Sequence, residues 1–291
     1  MKQFALLIAL LSIGLVGLNS CKKYEIKDID ISKLPNDSTI TEAAKENYIN
    51  KLFILLLGRK ANDTEFSQSL ALLNNGNASQ NAREQLFDYI TIKPEYYINL
   101  YKIARKDLMD DTDTSLIRYD YNEYSARLLD INYIDSWPYY QEVVNENFLL
   151  LQIPAQLPTG NINMIDVHKR CIDNLYYDEI NMGTENFVVS MFQHFLLRYP
   201  TNAELTNSKN MVDGVESVVF LKNGSSKSDF IQIFFDTGNY FEGQVRILYE
   251  KYLFRQPTES ELADATYQYK NTKNYKILQK SILTKSEFLG Q

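Results

Sequence analysis

His168 and Cys171 stand three residues apart, so a helix carrying them would put both on one turn. That is half of a tetrahedral zinc set. The chain holds only two histidines and two cysteines in all, and no third ligand falls nearby. The other histidine, His194, sits four residues before Arg198. A packed or exposed His168 and a buried, free Cys171 are therefore expected. Asp107, Asp110, Asp111 and Asp113 alternate somewhat like calcium-loop ligands, but the central glycine is missing and Glu123 falls off register. An exposed acidic loop is the expectation. There is no Gly-x-Ser-x-Gly and no glycine-rich phosphate loop. No catalytic residue, metal or cofactor is expected. One stretch offers binding chemistry instead. Between Arg118 and Gln141 the sequence is crowded with rings, among them Tyr121, Tyr124, Trp137 and Tyr139. Aromatic faces stack on sugars or peptides, although rings at helical spacing more often fill a core or an interface.

Cys21 has a different setting. Met1-Lys2-Gln3 is a short basic start, and residues 4–18 are an uncharged run, apolar but for Ser12 and too short for a membrane span. The run ends in Leu18-Asn19-Ser20-Cys21. A small residue before a cysteine thiol resembles a bacterial lipoprotein signal. The resemblance implies cleavage before Cys21 and lipidation of its thiol, with each buried methylene adding about 0.8 kcal/mol to the anchor. A lipidated Cys21 could not bridge Cys171, so no disulfide is expected. Residues 1–20 then form the signal, and residues 21–40, polar and charged, form a tether.

The remaining elements are organised by a stretch written three times. Arg255-Gln-Pro257-Thr258-Glu-Ser-Glu261-Leu262 is echoed by Arg198-Tyr-Pro200-Thr201-Asn-Ala-Glu204-Leu205, and by a degraded Arg59-Lys-Ala61-Asn62-Asp-Thr-Glu65-Phe66. Upstream of each arginine lies the same apolar pattern: Ile49, Leu52, Phe53, Leu56 and Leu57; Val188, Met191, Phe192, Phe195 and Leu196; Val245, Leu248, Tyr249, Tyr252 and Leu253. The i, i+3, i+4, i+7, i+8 spacing is one stripe of an amphipathic helix. Proline should stop that helix near Tyr199 or Gln256. Thr201, Thr258 and Asn62 are placed to cap the next helix, with Glu204, Glu261 and Glu65 completing capping boxes. The arginines fall at a helix C-terminus, where a cation meets the negative end of the dipole, bonds loose carbonyls or pairs with an acid of a neighbouring repeat. Each unit closes on an aromatic, at Tyr96-Tyr97, Tyr240-Phe241 and Phe288, and Asn74–Asn77 and Lys222–Ser226 read as loops within units.

The Leu-x-Arg-x-Pro-Thr-x-x-Glu-Leu pattern resembles uncharacterised helical domains of bacterial envelope proteins, including those accompanying planctomycete-type cytochrome c modules. The first copy resembles short helical repeats of large secreted bacterial proteins. The resemblance implies a helical fold and no catalytic residue. Those modules hold haem at Cys-x-x-Cys-His, which this chain lacks.

Whole-chain quantities agree with this picture. The 291 residues carry 11 Gly and 7 Pro, few for a many-turned β protein, and are rich in Tyr (21) and Phe (15). Net charge is −7, or 29 − 37 = −8 without Lys2, and the basic clusters that phosphate binding needs are missing, so no nucleic-acid partner is expected. The expected fold is all-α: helical hairpin repeats packed together after the signal and tether. Repeat 1 spans 41–115, an aromatic-rich helical region spans 116–183, and repeats 2 and 3 span 184–291. Residues 153–160 read as a turn-rich break, followed by a helix over about 165–176. The last unit closes near the end of the sequence, which leads to the expectation of no separate C-terminal catalytic domain. The expected role is non-enzymatic: a lipid-anchored cell-envelope protein, at the outer membrane, binding or scaffolding other envelope proteins. A glycan- or peptide-binding surface is the first alternative. A hydrolase working through paired carboxylates is the second, and a concave pocket holding two close acids with a perturbed pKa would favour it.

Overall fold

The three stripes become the three buried helices around which the molecule is built. A computed structural model describes residues 40–290; Cys21, the signal and the tether lie outside the described residues. Fifteen α-helices and one two-stranded hairpin make up the described chain, so the protein is all-α. Helix α1 (Glu42–Leu57), α9 (Thr184–Leu196) and α12 (Gly238–Leu253) carry the stripes, and every stripe residue is buried. Each is followed by its capped partner: α2 (Asp63–Asn75), α10 (Asn202–Val212) and α13 (Glu259–Thr272). The expected capping boxes are present at Asn62, Thr201 and Thr258.

The hairpins are extended by two further helices apiece. Unit 1 continues through α3 (Gln80–Thr91) into α4 (Pro94–Leu108). Between lie α5 (Thr114–Arg127), a 3-10 turn (Ile131–Ser136), α6 (Trp137–Gln156), α7 (Met164–Ile172) and α8 (Leu175–Ile180). Unit 2 continues through strands β1 (Ser217–Val219) and β2 (Lys222–Gly224) and α11 (Lys227–Phe235) into α12. Unit 3 then reuses α12 as its own stripe helix and ends with α14 (Tyr275–Leu283) and α15 (Ser286–Leu289). The aromatics expected to close each unit open the next helix instead. Units 1 and 3 are joined directly. Tyr48 donates to the Leu283 carbonyl at 3.0 Å, Arg83 to that of Thr284 at 2.7 Å, and Tyr96 to Gln279 Oε1 at 2.6 Å.

Four local details differ from the sequence reading. The stripe helices end before the proline acts, because Gly58, Leu197 and Phe254 adopt left-handed caps at φ 71°, 54° and 55°. Pro154 lies inside α6, costing one N–H bond where the helical ladder is about to end. The helix expected over 165–176 breaks at Asp173-Asn174 into α7 and α8. Lys222–Gly224, read as loop, pairs antiparallel with Ser217–Val219 around a two-residue turn. That turn holds Phe220 and Leu221 at positive φ, a conformation usually given to Asn-Gly. Phe220 offsets the strain by packing on Phe192 and Phe234, at 5.8 and 5.9 Å between ring centroids.

The left-handed caps give a test. At Gly58 an added Cβ would lie 2.8 Å from Asn99 Oδ1, so a side chain there would strain the left-handed backbone and displace Asn99. Phe254 is 90% exposed at the equivalent conformation and has a Cβ to strain. Phe254→Gly is therefore expected to raise stability by about 0.5–1 kcal/mol in denaturant titrations. A destabilised variant would show that the ring holds the cap.

Candidate functional site

The corners are structural clips, and one carboxylate holds each together. Glu65 receives both guanidinium nitrogens of Arg59, at 2.7 and 2.9 Å, and the Asn62 N–H at 3.0 Å. Glu204 does the same for Arg198 and Thr201, and Glu261 for Arg255 and Thr258. Each arginine also bonds the carbonyl of the following residue, Lys60, Tyr199 or Gln256. The acid partner is thus the motif's own glutamate. Units 1 and 3 add a second layer that the sequence reading missed. Lys93 and Lys285 reach Glu65 and Glu261, both at 3.1 Å, while Glu95 and Glu287 bind Arg59 and Arg255. The signal was legible as Lys-x-Glu-aromatic at 93–96 and 285–288. Unit 2 has Thr237 and Asn239 at those places, and Thr237 caps α12 instead. Pro200 and Pro257 are half-buried within the second and third corners.

The histidines, the cysteine and the acidic loop are absorbed by the fold. His168 is buried with Nδ1 2.9 Å from the Tyr240 hydroxyl, and burial holds its pKa down to about 4. His194 meets the Tyr177 hydroxyl at 3.1 Å, its pKa also lowered by burial. Cys171 is free and buried, its thiol pushed up to about 12. Asp113 caps α5 through the Ser115 N–H, and Asp111 stands 3.6 Å from Arg105. Among the described residues, no three His, Cys, Asp or Glu side chains are grouped to hold a metal.

The aromatic stretch is a helical hairpin, α5 and α6 joined by the 3-10 turn, tied to α8 where Tyr176 donates to Asp120 at 2.8 Å. Helix α5 buries only Ile117 along its 14 residues. Tyr124 meets Tyr139 and Tyr140 at 6.1 and 5.3 Å, and Arg127 lies over Tyr124, Tyr133 and Tyr140. Tyr121 packs on Phe148, and Trp137 Nε1 donates to the Asp130 carbonyl at 3.3 Å. The four ring residues singled out therefore sit on one hairpin, with Tyr124 and Tyr139 in one cluster and Tyr121 and Trp137 outside it. Around them Leu129 is 89% exposed, and Ile131, Ile134, Tyr119, Tyr139 and Phe148 are exposed too. Leu129, Ile131 and Ile134 lie in the turn between the helices, Tyr119 on α5, and Tyr139 and Phe148 on α6.

A cleft of about 700 Å³ lies between α6, α7 and α11. Pro138, Gln141, Glu142, Asn145, Glu146 and Leu149 face it from α6, a helical stripe in themselves. Glu146 Oε2 accepts the Leu175 N–H at 3.2 Å. Burial, then the charges of Asp173 and Glu142, push its pKa up to about 7. Asp173 is raised as well, by burial, against the pull of Lys227. Its side chain is 47% exposed, with Lys227 at 3.7 Å. Glu142 and Glu146 share a helix face four apart, a pattern readable in the sequence. Asp173 arrives from the α7–α8 break, which was not.

A carboxyl whose folded pKa lies above its unfolded value stabilises the fold below the unfolded pKa. That contribution is lost as pH rises through the folded one. For Glu146 the window runs from 4.5 to about 7. Glu146→Gln is thus expected to be nearly neutral at pH 5 and stabilising at pH 8, by about 1–2 kcal/mol once solvent screening is allowed for. Equal melting shifts at both pH values would contradict it.

No protein-family model, curated protein or solved structure matches the chain.

Proposed function

We propose that this chain is a bacterial lipoprotein, lipidated at Cys21 and held at the outer membrane, that acts without catalysis as a binding subunit of an envelope assembly. The lipobox-like Leu18–Cys21 supports the anchor, and among the described residues no helix is long and apolar enough to cross a membrane. The observation that carries the binding role is the α5–α6 hairpin, with Leu129, Ile131 and Ile134 exposed on the chain that carries the tyrosine and Arg127 cluster, and Trp137 at the start of α6. Tyr, Trp and Arg concentrate at the centres of protein interfaces. The clustered rings of Tyr124, Tyr139 and Tyr140 pack on one another, which favours a protein partner over a stacked sugar. The test is mild solubilisation of membranes followed by mass measurement of the mature N-terminus and of co-purifying proteins. Leu129→Asp with Ile131→Asp should retain the acyl mass and lose the partner. A bare Cys21 would remove the anchor from the reading, and an unchanged partner set would remove the hairpin.

A carboxylate-dependent hydrolase draws support from the cleft, since a glutamate kept protonated near pH 7 beside other acids is what a general acid needs. The binding role is preferred because the neighbouring acids are poorly fixed. Among the described residues nothing hydrogen-bonds or pairs with the Glu142 carboxylate, and Asp173 has only its long contact to Lys227. Turnover of a cell-wall or polysaccharide substrate that disappears in Glu146→Gln would reverse that preference.

A further inference from the structure

The cleft beside the hairpin is polar, open and unevenly charged. Four carboxylates line it, Glu142, Glu146, Asp166 and Asp173, against two lining cations, Lys169 and Arg170, with Lys227 at its edge 3.7 Å from Asp173 and 2.7 Å from Asp178. Both lining cations are held by neutral oxygens rather than by the acids. Arg170 donates to the Leu149 carbonyl and to Gln156 Oε1, each at 2.9 Å, and Lys169 to Gln232 Oε1 at 2.7 Å. Asp166 is spent on its capping box with Asn163. The other three acids keep free oxygens, with one N–H bond and one long ion pair among them. Leu149, Ile162 and Ile231 add apolar wall to the same cavity. Apolar wall beside Glu142, which has no partner among the described residues, and Glu146, which accepts a single N–H, suits a side chain with a hydrocarbon stem and a cationic head. The cavity's volume lies within the range of ligand pockets. Helix α6 also ties the cleft to the hairpin: Leu149 faces the cavity, and its neighbour Phe148 is exposed beside Tyr121.

We propose that the cleft receives a lysine or arginine side chain of the protein that lies on the α5–α6 hairpin, a proposal that rests on the binding role of that hairpin. An arriving cation offsets the negative charge of Asp173 and Glu142 and so favours the ionised form of Glu146. Binding therefore releases a proton near pH 7, and affinity rises with pH through that region.

The probe is tetralysine, titrated calorimetrically into the intact chain at pH 5.5 and pH 8, with spermidine in parallel. Tetralysine is expected to bind about tenfold more tightly at pH 8, and Glu146→Gln to weaken the pH 8 affinity about tenfold. Leu129→Asp with Ile131→Asp should leave tetralysine affinity unchanged. Failure of the hairpin in membrane co-purification is thereby separable from failure of the cleft. No binding, or binding that Glu146→Gln leaves intact, overturns the proposal. Spermidine binding as tight as tetralysine, and lost in the same variant, overturns it in favour of a free amine.

Discussion

Gly243→Ala is expected to cost about 3 kcal/mol or more, the upper range for overpacking. Gly243 is buried in α12, and a Cβ there would lie 1.9 Å from the carbonyl oxygen of Phe195 and 3.1 Å from the Cα of Leu196. Both neighbours are backbone in the last turn of α9, so no rotamer change relieves the clash. Helices α9 and α12 would have to separate, and they carry two of the three stripes. Because α12 serves units 2 and 3 together, the damage reaches both. A melting point lower by about 6–12 °C is the expected reading for a domain of this size. Gly238→Ala is the control: it lies at the start of the same helix with nothing within 4 Å of its added Cβ, and it should change little. Similar melting points for the two variants would show that the helices are not in close contact at Gly243.

Glu65→Gln should destabilise more than Glu204→Gln, by about 2 kcal/mol against about 1 kcal/mol or less. The sequence motif is the same, but the surroundings are not. Glu65 is 7% exposed and serves Arg59, Asn62 and Lys93, with Arg59 held further by Glu95. Glu204 is more open and serves only Arg198 and its own cap. Glutamine keeps the shape but turns a donor toward donors and leaves Lys93 and Arg59 facing a neutral group. The bonds from the arginines hold Glu65 and Glu204 at about 2. A lowered carboxylate pKa confers stability above the unfolded value, and that stability drains as pH falls from about 4.5 toward 2. The difference between wild type and Glu65→Gln should therefore shrink across that window in urea titrations. Equal costs for the two variants would mean that the lysine and second glutamate add nothing to the clip.

Periodic features were readable because each follows from local spacing. The stripes and the capping boxes needed only neighbours within four residues, and all are present. The four-helix units were harder to see. Gly238-Asn-Tyr240-Phe241 and the Val245–Leu253 stripe were both legible, but only packing shows that one helix serves as the end of unit 2 and the start of unit 3. The β-hairpin escaped because Phe220-Leu221 carries no turn chemistry; its strain is compensated by rings from α9 and α11, far away in sequence. The cleft escaped for the same reason. Glu142 and Glu146 are local, whereas Asp173 joins them through the fold, and a pKa is set by what surrounds a group after folding.

The most direct measurement is crosslinking in intact membranes from a photoreactive residue placed at Leu129 or Ile131, with Tyr267 as the exposed reference site outside the hairpin. The account expects one discrete protein adduct from both hairpin positions and none from Tyr267. Absence of an adduct at Leu129 and Ile131, or the same adducts from all three, would contradict it.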